Sequence, residues 1–228
     1  KEFLRFARIW IQTILPSVIT MFLYITIFGN FIGDKIGSIK EFSYIEYIIP
    51  GLIIIPIITN SYMNVVGSFY SGRFQKSTEE LLVSPVPNWI ILVGYVSGGV
   101  LRAFIVGFAV YVVTIFFIDI PIYNIPFVLF VTLLTAFLFS IAGFINAAYA
   151  KSFDDINIVP TFVLNPLTYL GGTFYSIESL PEIWQDVSLF NPIAYIVSVF
   201  RYGFLGLEET SIYVSLTIII VFIIILFK

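Results

Sequence analysis

Long stretches without a single charge leave this chain few ways to fold. Residues 9–33, 47–72, 120–150, 156–177 and 210–227 hold no Asp, Glu, Lys or Arg, and between Glu80 and Asp119 the only charge is Arg102. Such runs match the roughly 20 apolar residues that an α-helix needs to cross about 30 Å of hydrocarbon. A soluble fold could not cover its surface with what remains: 11% of residues are charged, against about 25% in soluble domains. The expected fold is therefore all-α, a polytopic membrane protein of six transmembrane helices, as one domain over residues 1–228. The chain begins without Met, and an N-terminal piece is expected to be missing.

The composition also narrows the chemistry. There is no cysteine, hence no disulfide framework or thiolate metal site. There is no histidine either, which removes the commonest catalytic base and metal ligand. No catalytic residue, metal site or cofactor is expected in this chain. A net charge of −3 gives no reason to expect a nucleic-acid partner; the expected partner surface is the lipid bilayer. The first residues, KEFLRFARIW, lack the short apolar core and small-residue cleavage site of a signal peptide.

Two runs resist a simple count. The stretch from Leu81 to Ile118 is too long for one crossing. It is split here into an interfacial part, 81–98, and a crossing that starts near Gly99 and lets Arg102 snorkel to a membrane face. The alternative is one tilted helix with Arg102 buried against a partner. The apolar piece 187–200 is too short to span; with the acidic, proline-containing YSIESLPEIWQD before it, it reads as a re-entrant or interfacial hairpin, or else as a tilted seventh crossing. With six crossings both termini lie on one side. That side holds Lys1, Arg5, Arg8, Arg73, Lys76, Lys151 and Lys228, with Arg102 expected there as well, and the other Lys35, Lys40 and Arg201. The excess of Lys and Arg marks the first side as cytoplasmic.

Energy for transport is not visible in the chain. Pumps and secondary transporters place Asp, Glu or His inside the membrane, and the crossings here are almost free of them. No G-x-x-x-x-G-K-[ST] occurs, so the usual cradle for ATP phosphates is absent. Any power must come from a second polypeptide that touches the cytoplasmic face. Three features there offer a handle. In residues 1–10, Phe3, Phe6, Ala7 and Trp10 fall at helical spacing with Arg5 and Arg8 opposite, as in a helix lying in the interface. In RFQKSTEELLVSPVP, Ser77 and Glu80 have capping-box spacing. Phe74, Leu81 and Leu82 can share one face there, with Arg73, Lys76 and Glu80 on the other, and Pro85 and Pro87 end the segment. That makes either a short docking helix or an ordinary solvated loop. In KSFDD, Ser152-x-x-Asp155 fits a helix cap, and no base or nucleophile stands nearby to make the two acids catalytic.

Two glycine pairs, Gly29/Gly33 and Gly94/Gly98, have the spacing that lets helices approach closely. Gly171-Gly172 closes the fifth run, and Pro160 and Pro166 are expected to kink it. A disrupted fifth helix followed by an outer hairpin is the most unusual feature of the chain.

From there on the sequence resembles the ABC-2 type family of ABC transporter membrane subunits. Leu164, Leu167, Leu170 and Gly171 match the first part of that family's C-terminal signature. Leu180-Pro181 follows, then Pro192-Ile193-Ala194-Tyr195, five residues, and Arg201. Thr173 departs from the smaller or aliphatic residue usual at its position. FGNFIG, PGLIIIPIITNSY, STEELLVSPVP and NPIAYIVSVFRYGFLG extend the likeness over essentially the whole chain, toward a bacterial subgroup of drug and polysaccharide exporters. The resemblance implies six crossings, a homodimer in the bacterial inner membrane, and separate ATPase subunits that bind ATP and Mg. It also implies an N-terminal interface helix with Arg5 and Arg8, and a coupling helix near 72–84, where Arg73, Phe74, Lys76, Glu79, Glu80, Leu81 and Leu82 are candidate contacts. The outer hairpin would be 176–207. An ATP-driven exporter of an amphipathic, lipid-like, drug-like or saccharide cargo is the expected function; a passive channel or scaffold, or a secondary transporter, is the alternative.

Overall fold

The computed structural model describes residues 10–78, 83–120 and 122–227. Arg5 and Arg8 of the expected interface helix lie outside the described residues, as do Glu79, Glu80, Leu81 and Leu82. Ten α-helices follow one another among the described residues: α1 (Trp10–Tyr24), α2 (Gly33–Ile36), α3 (Tyr44–Phe74), α4 (Asn88–Ile115), α5 (Ile125–Tyr149), α6 (Asp155–Val159), α7 (Asn165–Leu170), α8 (Glu182–Leu189), α9 (Pro192–Leu205) and α10 (Ile212–Phe227). A two-residue antiparallel ladder, β1 (Ser38–Ile39) with β2 (Phe42–Ser43), separates α2 from α3.

α3 is the central mast of the fold. The Glu46 carboxylate starts it by accepting from the Ser43 backbone N–H at 2.8 Å and from the Ser43 hydroxyl at 2.6 Å, which holds the first turn. Its 31 residues rise about 46 Å at 1.5 Å per residue, more than a hydrocarbon core. Ile48, Ile49, Ile54, Ile58, Tyr62 and Val65 are fully buried, as expected of a helix that is apolar nearly all round. α4 and α5 pack along it on two sides, and α9 meets it at one end. The close approach needs glycine at two places. A Cβ on Gly143 of α5 would stand 2.6 Å from the Tyr62 carbonyl oxygen, and one on Gly99 of α4 would stand 2.9 Å from that of Ser61. Four hydroxyls inside the bundle are spent on their own helices: Ser61 donates to the Ile57 carbonyl, Thr114 to Val110, Thr132 to Val128 and Thr168 to Leu164. This i−4 bonding hides a donor where no water reaches.

Among the described residues four helices are long and apolar enough to cross a membrane: Ile11–Gly29, Tyr44–Phe74, Asn88–Ile115 and Ile125–Tyr149. Pro192–Leu205 and Ile212–Phe227 are apolar but shorter. α1 and α10 leave broad apolar faces uncovered, including Ile11, Leu15, Ile19, Ile224, Ile225 and Phe227, which is the surface that lipid accepts. The chain is an all-α polytopic membrane protein.

One sequence expectation needs correction. The third run is not divided near Gly99. Pro87 precedes a single helix that starts at Asn88 and continues through Arg102 to Ile115, so Arg102 sits at the middle of that helix and not near its start. The charge is accommodated because Asn60 and Asn64 of α3 accept from its Nε and Nη1 at 3.1 and 3.3 Å. The apolar piece 187–200 is divided at Phe190–Asn191, between α8 and α9.

The fifth run is helical from Asp155 to Leu170, but its middle, Pro160–Leu164, is wound as a π-helix. There the Asn165 N–H reaches back five residues to the Pro160 carbonyl. Pro160 and Pro166 lack the N–H groups that α-helical pairing needs, and a wide turn takes up the fault. The expected kink is thus a local change of winding. Gly172, at φ +71°, turns the chain out of the helix.

Candidate functional site

The end of the bundle that carries the C-termini of α3 and α5 brings two of the sequence-predicted handles together. Arg73, in the last turn of α3, donates from Nη1 to the carbonyls of Ala147 (2.9 Å), Ala148 (2.6 Å) and Ala150 (3.3 Å). Those carbonyls belong to the final turn of α5, where acceptors lack intrahelical partners and the helix dipole favours a cation. Arg73 is therefore a cap shared between two helices. Beside it, the Phe153 ring lies 4.8 Å from Tyr70 and 5.3 Å from Phe74, edge-on to both. The end of α3 thus touches both the end of α5 and the loop before α6.

That loop is itself fixed. Asp155 Oδ2 accepts from the Lys151 and Ser152 backbone N–H groups at 2.8 and 3.1 Å, and the Asp155 N–H donates to the Ser152 hydroxyl at 3.2 Å. The Lys151 N–H, followed by the Ser152 contacts, holds the Asp155 carboxyl below its ordinary value. This is the cap that Ser152-x-x-Asp155 foretold. After α3 the chain reverses through Lys76, which takes a left-handed φ of +59°. Thr78 is then buried against Gly72, where a Cβ would meet the Thr78 hydroxyl oxygen at 2.6 Å. Lys76 is exposed, and Phe74 (71%), Val83 (88%), Trp89 and Tyr149 leave an apolar margin uncovered at the same end.

The opposite end is built around Arg201 of α9, only 1% exposed. Its Nη1 pairs with Glu209 Oε2, its Nη2 donates to the Gly172 carbonyl at 2.9 Å and its Nε to the Tyr47 carbonyl at 3.2 Å. The guanidinium carbon stands 3.9 Å from the centre of the Tyr47 ring, and the Tyr47 hydroxyl donates to Glu209 Oε1. One buried cation thus joins the start of α3, the turn after α7, α9 and the loop before α10.

The other signature positions fasten the same end. Gly171 lets Ile193 approach, since a Cβ there would fall 2.9 Å from Ile193 Cγ2. Pro181 precedes the first turn of α8, and Pro192 takes the first position of α9. Tyr195 donates from its hydroxyl to the Leu189 carbonyl at 2.8 Å. Three participants were missed in the sequence: Tyr47, Glu209 and Asn191. Asn191 caps α9 by accepting from the Ile193 N–H and donates to the Leu167 carbonyl on α7. An Asn directly before a Pro at the head of an apolar run was the available signal. Glu209 had a weaker one, as an acid shortly after the lone arginine of an apolar helix.

Apolar helices long enough to span a bilayer, with polar side chains used to tie helix ends, define a multi-pass membrane protein. Among the described residues no group of acids could hold a metal ion. The profile of the ABC-2 type transporter family matches residues 1–205. The inner membrane transport permease YadH of Escherichia coli K12 is 52% identical over 224 residues, covering 98% of this chain and 88% of the relative. Nodulation protein J of Rhizobium leguminosarum bv. viciae is 21% identical over 228 residues, covering 100% and 88%. The same-named protein of Rhizobium meliloti is 24% identical over 207 residues, covering 90% and 79%. The chain belongs to the ABC-2 type transporter family and is a membrane subunit of an ABC transporter.

Proposed function

We propose that this subunit forms, as a homodimer, the path of an ATP-driven exporter in the bacterial inner membrane, powered by separate ATPase subunits that bind ATP and Mg. Six crossings, α1 with the π-helix Ile25–Ile32 that continues it, α3, α4, α5, the α6–α7 path and α10, put both termini in the cytoplasm. The α8–α9 hairpin lies on the outer face, with Ile183 and Phe190 exposed to the interface. Separate ATPase subunits dock on the cytoplasmic end, at the segment between α3 and α4 and the N-terminal interface helix, through contacts drawn from Phe74, Lys76, Glu79, Glu80, Leu81 and Leu82. The cargo is amphipathic, lipid-like, drug-like or saccharide.

The observation that carries this reading is the grip of Arg73 on the carbonyls of Ala147, Ala148 and Ala150. A push on the α3–α4 segment does not end in a loose loop. It passes through a charge-assisted contact into α5, and through Phe153 into the head of the fifth helix. Rigid elements joined at their ends carry displacement along their length, which is what a subunit driven from one face needs.

The test is co-purification with the ATPase encoded beside its gene, followed by ATP-dependent cargo movement in sealed vesicles. Scrambling residues 75–84 should leave the fold and membrane insertion intact and sharply reduce both ATPase capture and transport. Unchanged capture and transport in the scrambled protein, or transport without nucleotide, refutes the reading.

A further inference from the structure

Between α3, α4, α5 and α9 lies a cavity of about 590 Å³. Ile53 and Ile57 of α3 and Phe200 and Phe204 of α9 line its deep part, and all four are buried. Phe108 of α4 and Leu129 of α5 line it too, yet are 69% and 50% exposed. The cavity therefore opens sideways, at the seam between α4 and α5. Its α9 wall is fastened: in the connection from α4 to α5, the Tyr123 and Asn124 N–H groups donate to the Phe204 and Gly203 carbonyls, each at 2.9 Å. Phe200 directly precedes Arg201, so the cavity belongs to the half of the bundle that Arg201 ties together.

The lining decides what fits. A buried water needs two to four polar partners, and the side chains here offer only the hydroxyls of Tyr111 and Thr132. The Thr132 hydroxyl is already spent on the Val128 carbonyl at 2.8 Å. Nor is a hollow of this size stable without a filling, because interiors hold few voids larger than a water molecule and unfilled walls forfeit dispersion contacts. The volume falls within the roughly 300–1,000 Å³ of ligand pockets. Around the mouth, Phe130 and Leu133 are exposed as well, on a helix long enough to span a bilayer, so the opening faces the surface that lipid accepts. A helix laid across the seam reaches inward by one side chain and leaves the part between α3 and α9 unfilled. A flexible alkyl chain threads to the bottom. No lysine or arginine lines the cavity, so the recognition is of the chain and not of an anionic head.

We propose that this cavity seats one acyl chain of a bilayer phospholipid, which enters from the side at the α4–α5 seam and stays with the protein. The acyl chain fills the space between the seam and α9, and so helps hold α9 against α3. The inference needs only a protein embedded in lipid and does not depend on the transport reading.

The test uses the full chain purified in glyco-diosgenin, a detergent whose rigid steroid body does not compete for an alkyl slot, with bound phospholipid counted by mass spectrometry. Washed wild type is expected to keep about one phospholipid per chain. After delipidation, added dioleoyl phosphatidylethanolamine should raise its unfolding temperature saturably. Leu129→Trp places a larger ring in the mouth and should cut retained lipid about tenfold. Should that variant fail to fold, the cavity can be filled after folding. The chain has no cysteine, so Leu129→Cys provides a single thiol, and hexyl methanethiosulfonate then attaches a hexyl chain there; retained lipid should fall as far. Ile225→Cys, on the exposed face of α10, should keep its lipid after the same treatment. Full retention in folded Leu129→Trp or in hexylated Leu129→Cys overturns the proposal, as does a wild type with neither retained lipid nor a saturable shift. Equal loss in hexylated Ile225→Cys overturns it in favour of a general lipid annulus. A changed oligomeric state in Leu129→Trp, with lipid retention unchanged, overturns it in favour of a second copy of the chain at the seam.

Discussion

Arg201 and Tyr47, 154 positions apart in the chain, meet twice. The arginine Nε donates to the tyrosine carbonyl at 3.2 Å, while the guanidinium lies 3.9 Å from the centre of the tyrosine ring. Glu209 closes the arrangement by taking one bond from each side chain.

This geometry makes the ion pair sensitive to loss of either partner. Arg201→Leu leaves a mostly buried Glu209, and we expect it to cost about 3–5 kcal/mol of stability. Removing both charges, Arg201→Leu with Glu209→Leu, should cost less than Arg201→Leu alone. Tyr47→Phe, which deletes only the hydroxyl donor, should cost about 1–3 kcal/mol. Reversible unfolding in mixed micelles measures all of these.

Arg73 gives a different outcome. Arg73→Ala removes a cap from the end of α5, worth about 0.3–2 kcal/mol, so the protein should still assemble. Under the proposed function, the ATPase should still be captured while cargo moved per ATP hydrolysed falls severalfold. A parallel assay of nucleotide turnover and vesicle transport separates the two quantities.

Glycine positions can be compared directly. Gly143→Ala places a Cβ 2.6 Å from the Tyr62 carbonyl oxygen and should destabilise by about 1–3 kcal/mol through overpacking. Nothing lies within 4 Å of a Cβ at Gly94. Gly94→Ala in the same fold should be neutral, or stabilising by up to about 1 kcal/mol from helix propensity. Thermal unfolding followed by size-exclusion chromatography ranks the pair.

Asp155 sets a pH dependence at the head of the fifth helix. Its folded pKa is lowered from 3.8, first by the Lys151 N–H. Its contribution is therefore complete above 3.8 and is lost only as the pH falls from there through the lowered folded value. Hydrogen exchange at the Lys151 and Ser152 amides, corrected for intrinsic rates, should show protection that is constant from pH 7 to pH 5 and declines below the ordinary carboxylate range. Asp155→Asn should reduce that protection at neutral pH.

Much of the helical layout was legible because charge-free runs and helices end for the same reason. The run 47–72 corresponds to α3, 120–150 to α5 and 210–227 to α10. The third run misled because its interruption was judged locally. Arg102 is accommodated by two asparagines some 40 residues earlier, and nothing near it in sequence announces them. Glycine spacing was a weak guide. Gly94 makes no close contact, whereas Gly99 and Gly143 lie where three helices converge; spacing gives a candidate face, and only the partner helix decides which residue is pressed.

The candidate site was legible by residue type and less so by connection. The signature positions Gly171, Pro192 and Arg201 were visible as a pattern, but their shared purpose depends on Tyr47, Asn191 and Glu209. Arg73 was visible as a charge at the end of the second apolar run. Its target was not, because a main-chain carbonyl carries no letter in the sequence.

That choice of target has an evolutionary consequence. Arg73 grips main-chain oxygens that every amino acid possesses, so the exposed Ala148 and Tyr149 can be replaced without removing its acceptors, while buried Ala147 and Ala150 are held by their packing. Lineages can therefore retune the exposed surface around this junction for a new partner while the linkage beneath it is inherited intact.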